Sequence, residues 1–235
     1  EVTLEILGAD GALVRRFSSA SRGAGRPGAP DMATGSFGGG SEARLEKGAG
    51  MHRFIWDLRY PGAWDPDRGA PEGRGPMAVP GSYQARLTAG GRSTTQTFRV
   101  YIDPRVAEDG VTQEQLQEQL AFNLEVRDAL SLARKAAVRV DSLLAGIDQA
   151  AAEAGDAAAA PQELDRLRAA LVTHAVRYSQ PMLIDQLEYL LDMTTRADQQ
   201  PGRDAYARYD QLRGELAAIE EALDRIERSD AAARR

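Results

Sequence analysis

The pattern of apolar and polar positions divides the chain into two halves with different periods. In the first half, Val2, Leu4 and Ile6 alternate with Thr3 and Glu5, the period-2 signature of a half-buried strand. Ala9-Asp10-Gly11 then reads as a hairpin turn, because Asp-Gly tolerates positive φ, and Leu13 to Phe17 returns as the partner strand. A third strand is predicted over Met51 to Leu58, with Phe54, Trp56 and Leu58 on one face and Trp56 in the core. A fourth runs from Gly81 to Thr88 with Tyr83, Ala85 and Leu87 on one face. Ala89-Gly90-Gly91 turns it into a fifth over Thr94 to Ile102. Short strands punctuated by glycine turns predict an antiparallel sandwich.

In the second half the period lengthens to that of a helix. Thr112-Gln113-Glu114-Gln115 fits a capping box, with Thr112 as N-cap and Gln115 reaching back to it. Positions 126, 130, 133, 137, 140, 144, 147 and 151 carry Val, Leu, Ala, Ala, Val, Leu, Ile and Ala, a heptad-like seam on a helix running to about Glu153. Gly155 and an alanine run end it, and Pro161 opens a second helix. That helix carries Leu164, Leu167, Leu171, His174 and Tyr178 on one stripe, up to a break at Pro181. A third holds Leu183, Leu187, Leu190 and Leu191, and Pro201-Gly202 separates it from a fourth with Tyr209, Leu212, Leu216, Ile219, Leu223 and Ile226. Tyr206 and Tyr209 fit as core at the start of the fourth. The long first and fourth helices are expected to be antiparallel partners in a three- to four-helix antiparallel bundle, with Ala133 and Ala137 permitting close approach.

Composition sharpens the division. Of 23 glycines 19 lie in residues 1–110, as do 8 of 11 prolines, so the helix breakers concentrate in the β half. The fold class is therefore α+β in two domains, residues 1–108 and 109–235. Two stretches interrupt the β pattern. Ser18 to Ser41 has almost nothing to bury, and long loops of this kind are either mobile or ordered by a partner. Pro61 to Pro80 surrounds Trp64 and Met77 and is expected to pack on something.

Charge and chemistry narrow the function classes. Residues 1–110 carry 14 basic and 13 acidic side chains, and residues 111–235 carry 15 and 22, so the helical half is acidic. A net charge of −6 argues against nucleic acid as the main partner. With no cysteine, thiolate catalysis, disulfides and cysteine zinc sites are excluded. No apolar run approaches the roughly 20 residues of a membrane span. His52 and His174 lack the partners a metal site or nucleophile–base pair needs, and no HExxH, GxSxG or phosphate-binding loop occurs. Asp57, Asp65 and Asp67 lie near Trp56 and Trp64. Two acids across a glycosidic bond could serve hydrolysis, but Asp65 before Pro66 reads as a turn former. Glu220, Glu221, Asp224 and Glu227 alternate with Arg225 and Arg228, a solvated charged face or an acidic docking surface. The expectation is a chain with no catalytic residues, cofactor or metal, whose candidate interaction residues are Arg59, Tyr60, Trp64 and Met77.

Gly50-Met51-His52-Arg53-Phe54-Ile55-Trp56-Asp57-Leu58-Arg59-Tyr60-Pro61, followed by Pro80-Gly81-Ser82-Tyr83-Gln84-Ala85-Arg86-Leu87, resembles the C-terminal part of bacterial β-propeller proteins with BNR or sortilin-like repeats, often named glycosyl hydrolases. The opening strand with Asp10-Gly11 and Val14-Arg15, and Ile102-Asp103-Pro104-Arg105 before the helices, are similar too. The resemblance implies an immunoglobulin-like sandwich and a closing helical segment. It also implies a periplasmic or extracellular location and a propeller, outside these residues, to which any hydrolase activity belongs. The chain begins at Glu1 without an initiator Met and is read as a piece of a larger protein. The reading that follows is a scaffold or accessory subunit docking on a larger envelope or membrane complex, for example a photosynthetic or transport assembly. The alternative is a carbohydrate-binding accessory module using Trp64.

Overall fold

The computed structural model describes residues 1–20, 45–154, 161–174 and 179–233. Most of the Ser18–Ser41 stretch, Gly155 with its alanine run, and Tyr178 lie outside the described residues. The fold is α+β, with antiparallel strands first and helices after. It separates into two compact units. One comprises Glu1–Gly62 and Pro71–Leu120, the other Ala63–Ala70 and Ala121–Arg235.

In the first unit, β1 (Val2–Gly8), β2 (Leu13–Ser18), β7 (Gly81–Ala89) and β8 (Arg92–Val100) form one antiparallel sheet in the order β2-β1-β7-β8. The Asp-Gly turn forms as the sequence predicts, with Gly11 at φ +81 and Asp10 Oδ1 accepting the Ala12 N–H at 3.0 Å. Gly90 and Gly91 both take positive φ, 57° and 76°, the two-residue turn whose twist matches a hairpin. Val2, Leu4, Ile6, Phe17, Tyr83, Ala85, Phe98 and Val100 share one face and pack with Leu45, Ala78, Phe54 and Trp56. On the opposite face Glu5 holds Arg86 at 2.6 Å and Arg16 at 3.4 Å.

The predicted strand over Met51–Leu58 does not form a ladder. The segment is irregular, yet Phe54, Trp56 and Leu58 are partly buried while Arg53, Ile55 and Asp57 are exposed. Alternation reports an extended backbone with one face inward; it does not require a hydrogen-bonded neighbour. Phe54 and Trp56 lie against the sheet's apolar face, and Trp56 meets Tyr83 and Phe98 edge-on at 5.6 and 6.1 Å; Leu58 takes a positive φ of 57° where the segment ends. A short ribbon follows, β3 (Arg59–Pro61) with β6 (Arg74–Met77).

Tyr83 lies at the centre of this core, and its hydroxyl donates to the Val79 carbonyl at 2.7 Å. Burial, and secondarily Tyr60, pushes its phenol up to about 12 from its ordinary 10.0. A raised phenol pKa means that the unfolded chain releases the proton first. The stabilising contribution is therefore whole below about pH 10 and is lost as pH climbs toward 12. Denaturant titrations of the first unit across that window are expected to show this loss, with a shallower slope in Tyr83→Phe.

The second unit is built on α2 (Gln113–Ala154) from Ala121 onward; the short α1 (Pro104–Glu108) and the first turns of α2 fall in the first unit. The capping box is present: Thr112 N–H donates to Gln115 Oε1 at 2.9 Å and Gln115 N–H to Thr112 Oγ1 at 3.3 Å. The seam from Val126 through Leu130, Ala133, Ala137 and Val140 is buried. Leu144 and Ile147 pack beside it, whereas the side chain at 151 lies outside the described set. Phe122, Ala129 and Ala136 join the same core.

α3 (Pro161–Leu171) and α4 (Leu183–Thr195) return along α2 as one interrupted leg. Contacts descend α2 as the chain advances: Arg168 to Asp141 at 2.6 Å, Glu188 to Arg134 at 2.7 Å, and Thr194 to Asn123 at 2.6 Å. α5 (Arg203–Ala233) then runs the other way. Its Tyr209 hydroxyl donates to the Glu125 carbonyl at 3.2 Å, and its Asp224 and Glu227 meet Arg139 at 2.7 and 2.9 Å. The two numberings rise together, so α2 and α5 are parallel and the expected antiparallel pairing of the two long helices is corrected. With α3 and α4 forming a single return leg, the first and last legs must share a direction.

Asn123 is a polar residue in this apolar seam, 3% exposed. Its carbonyl accepts from Thr194 Oγ1, and its amide donates to the Thr194 carbonyl at 3.3 Å. Asn123→Ala is expected to cost about 1–3 kcal/mol, since it removes a buried amide and deprives the half-buried Thr194 hydroxyl and carbonyl of their partner. Urea unfolding followed by far-UV circular dichroism would measure it.

Candidate interaction sites

The four residues expected to form an interaction surface fall into two groups. Arg59 and Met77 are cross-strand partners in the β3–β6 ribbon, and Tyr60 packs under it against the sheet core. The ribbon is tied closely. Arg59 Nη1 donates to the Gly75 carbonyl at 3.0 Å, and Trp56 Nε1 donates to the Arg59 carbonyl at 3.1 Å. Met77 remains 42% exposed. Arg59 and Tyr60 therefore hold the ribbon, and Met77 is its outward apolar side chain.

Trp64 belongs to the other unit. With Asp65 it forms β4 (Trp64–Asp65), paired with β5 (Ala70–Pro71). The hairpin's loop closes because Asp65 Oδ1 accepts the N–H groups of Asp67 and Arg68 at 3.0 and 3.1 Å, with Gly69 at φ +63. The hairpin is anchored to α2: Trp64 N–H donates to Ser131 Oγ at 3.0 Å, and Arg134 Nη1 donates to the Trp64 carbonyl at 3.0 Å. Lys135 Nζ stands 5.8 Å from the centroid of the half-buried indole, a cation–π contact. Ala63 enters the helical core. The expectation that the Pro61–Pro80 stretch packs on something is met in two pieces, Ala63 and Trp64 on helices, and Pro76 and Ala78 buried in the sheet unit.

The residues weighed for chemistry are spread out. Asp57 Oδ1 accepts from Arg15 and from the Arg59 N–H, both at 3.2 Å, while Asp65 is occupied with its own turn. His52 sits between Glu46 Oε2 at 3.0 Å and the Gly48 carbonyl at 2.9 Å. His174 is exposed beyond the end of α3 rather than on its apolar stripe, because the helix stops at Leu171. Among the described residues no group of three or more His, Asp or Glu could hold a metal ion. Of the acidic face on α5, Glu220, Asp224 and Glu227 converge on Arg139 of α2. The hydrogen bonds to Glu227 and Asp224 push the guanidinium further up its already high range.

The sequence reading missed a groove between α4 and α5 of about 690 Å³. Leu190, Ala205 and Thr194 line its inner part, and Tyr189 and Met193 line it from the outer side of α4, 65% and 50% exposed. Leu183, Leu187 and Leu190 of the same helix are buried in the core. Tyr189 and Met193, four residues apart, thus form a second apolar row beside the core stripe. That spacing was the available signal, since two large apolar side chains off the buried stripe need another reason to be there. Arg208 bridges the groove's rim to Gln186 and bonds Gln211 Oε1 at 2.8 Å. Asp185 and Asp204 also line it and form no ion pair among the described residues.

No helix among the described residues is long and apolar enough to cross a membrane. No protein family matches the chain, and no curated protein or solved structure matches it.

Proposed function

We propose that the chain is a non-catalytic protein-interaction module, a scaffold or accessory subunit docking on a larger extracytoplasmic or membrane-associated assembly. The observation that carries this reading is the groove between α4 and α5. Tyr189 and Met193 are held outward by a helix whose other face is locked into the core, so an apolar surface is presented in a fixed geometry. Aromatic and methionine side chains are enriched where proteins meet, and a preformed concavity lowers the ordering cost of binding. The extracytoplasmic location rests on the Trp-Asp-Leu-Arg-Tyr-Pro run at residues 56–61 and its likeness to propeller-associated immunoglobulin-like domains. The packing of Phe54 and Trp56 over the sheet supports an immunoglobulin-like derivative in which an irregular segment covers the inner face.

The test is affinity purification from native membranes and periplasm with the wild-type chain and with Tyr189→Asp/Met193→Asp. Both positions are exposed, so the double variant is expected to change stability by no more than about 1 kcal/mol. A partner retained stoichiometrically by the wild type and lost from the variant supports the module. Equal retention by both removes the groove from the function. Oligosaccharides that shift Trp64 fluorescence would move the reading to carbohydrate binding, but Lys135 over the indole already occupies part of the surface a sugar needs.

A further inference from the structure

The two edges of the four-stranded sheet are unlike each other. The β2 edge is protected in several ways that sheet proteins use to prevent unwanted pairing. Its register with β1 shifts between Ile6 and Leu7. It carries the adjacent charges Arg15 and Arg16, and Arg15 Nη1 reaches Asp57 at 3.2 Å and the Arg59 carbonyl at 3.4 Å. The Leu45 N–H caps its end by donating to the Ser18 carbonyl at 3.4 Å.

The β8 edge has fewer of these protections: its charges stand only near its two ends, and one side chain, Gln96, bonds an edge carbonyl, that of Thr97, at 3.2 Å. Its nine residues pair with β7 in unbroken register from Ala89↔Arg92 to Gly81↔Val100, without a bulge. The run Ser93-Thr94-Thr95-Gln96-Thr97 is uncharged, rich in β-branched residues, free of proline and exposed throughout. Residues flanking a two-residue hairpin loop form a hydrogen-bonded pair, and such pairs alternate along an antiparallel ladder. From the register, Arg92, Thr94, Gln96, Phe98 and Val100 direct their N–H groups to β7. Ser93, Thr95, Thr97 and Arg99 direct theirs away from the sheet.

We propose that β8 is a strand-addition site that takes an extended segment of another protein, with acidic side chains seven residues apart flanking an uncharged β-forming run. The spacing follows from the only charges on the edge, Arg92 and Arg99. Neither guanidinium is ion-paired among the described residues, and Arg99 rests on the Tyr101 ring at 5.4 Å. A second copy of this chain offers no such match. Antiparallel β8–β8 pairing at full overlap sets Arg92 opposite Val100 and Arg99 opposite Ser93, so neither guanidinium meets a carboxylate. Backbone hydrogen bonds would supply the affinity and the two carboxylates the register. The site is separate from the groove between α4 and α5 and stands or falls independently of it.

The full chain, labelled with ¹⁵N, would be titrated with the blocked octapeptide Glu-Thr-Val-Thr-Val-Thr-Val-Glu and with its Lys-ended counterpart, with amide exchange read residue by residue. The Glu-ended peptide is expected to slow exchange at Ser93, Thr95, Thr97 and Arg99, leaving Thr94, Gln96 and Phe98 as they were. The Lys-ended peptide is expected to bind at least tenfold more weakly. Thr95→Pro removes an outward N–H without touching the β7 ladder and should abolish binding. Should that variant disturb the hairpin, Arg92→Glu/Arg99→Glu should reverse the preference between the peptides. Equal binding of both peptides, protection at other residues, or no protection at millimolar peptide would overturn the proposal. So would protection of the same four amides that rises with protein concentration alone, which would make the occupant a second copy.

Discussion

Gly75→Ala is expected to disrupt the β3–β6 ribbon and to destabilise the sheet unit by about 3 kcal/mol or more, at the upper end of overpacking effects. A Cβ built at this position would stand 2.1 Å from the Pro61 carbonyl oxygen, 2.5 Å from its carbon and 2.6 Å from the Tyr60 carbonyl oxygen. All three neighbours are backbone, so no side chain can swing aside; the strands themselves must separate. Such close approach is a reason for glycine within a strand. Separation would also remove the hydrogen bond from Arg59 to the Gly75 carbonyl and that from the Ala78 N–H to the Leu58 carbonyl, at 3.0 and 2.7 Å. The chain's two tryptophans permit a local readout, because Trp56 packs in the sheet unit and Trp64 belongs to the helical one. In a Trp64→Phe background, the urea midpoint followed by Trp56 fluorescence should fall sharply on Gly75→Ala. An unchanged midpoint would mean that the ribbon contributes nothing to the unit's stability.

The elements legible in the sequence are those whose signal is local. Asp10-Gly11 and Gly90-Gly91 specify their turns through positive φ, and Thr112 with Gln115 specifies a helix start through two reciprocal hydrogen bonds. The seam at 126–147 shows which face of α2 is buried. What the pattern does not encode is the identity of the partner across a buried face. The Met51–Leu58 segment shows this: period-2 burial is present, but the side chains are met by the face of a sheet rather than by the edge of a neighbouring strand. The direction of α5 is a second case. Two apolar stripes of similar length are compatible with either direction, and the choice depends on how many legs lie between them. That number was obscured by the break between Leu171 and Leu183, which looks like a helix-to-helix reversal and is an interruption within one leg. Trp64 is a third. Nothing in Pro61-Gly62-Ala63-Trp64 announces Ser131 and Arg134, 67 and 70 residues away. Of the four candidate site residues, Arg59 and Tyr60 were read as surface and act largely as internal ties. The leucine stripe of α4 marks only the face that packs inward and carries no signal for the groove.

On the proposed reading, α4 carries stability and recognition on a single turn of helix. Leu187 is fully buried in the helical core, and Leu187→Ala is expected to cost about 2–5 kcal/mol, the range for a large-to-small change that leaves a cavity. The loss should sit toward the upper part of that range. Ala133 and Ala136 of α2 belong to the same core, and both are fully buried small side chains with little reach to refill the space. Two residues on, Tyr189 is 65% exposed, and its replacement should leave the midpoint nearly unchanged. The two substitutions therefore predict opposite patterns. Leu187→Ala lowers the urea midpoint of the helical unit, read by far-UV circular dichroism, and weakens partner retention only in proportion to the fraction unfolded. Tyr189→Asp leaves the midpoint in place and removes retention at every denaturant concentration below it. If Leu187→Ala abolished retention while the unit remained folded, the groove would depend on a packing geometry that α4 holds only when its leucine stripe is complete. If neither substitution affected retention, partner binding would lie on another surface of the chain, with the β8 edge the next to be tested.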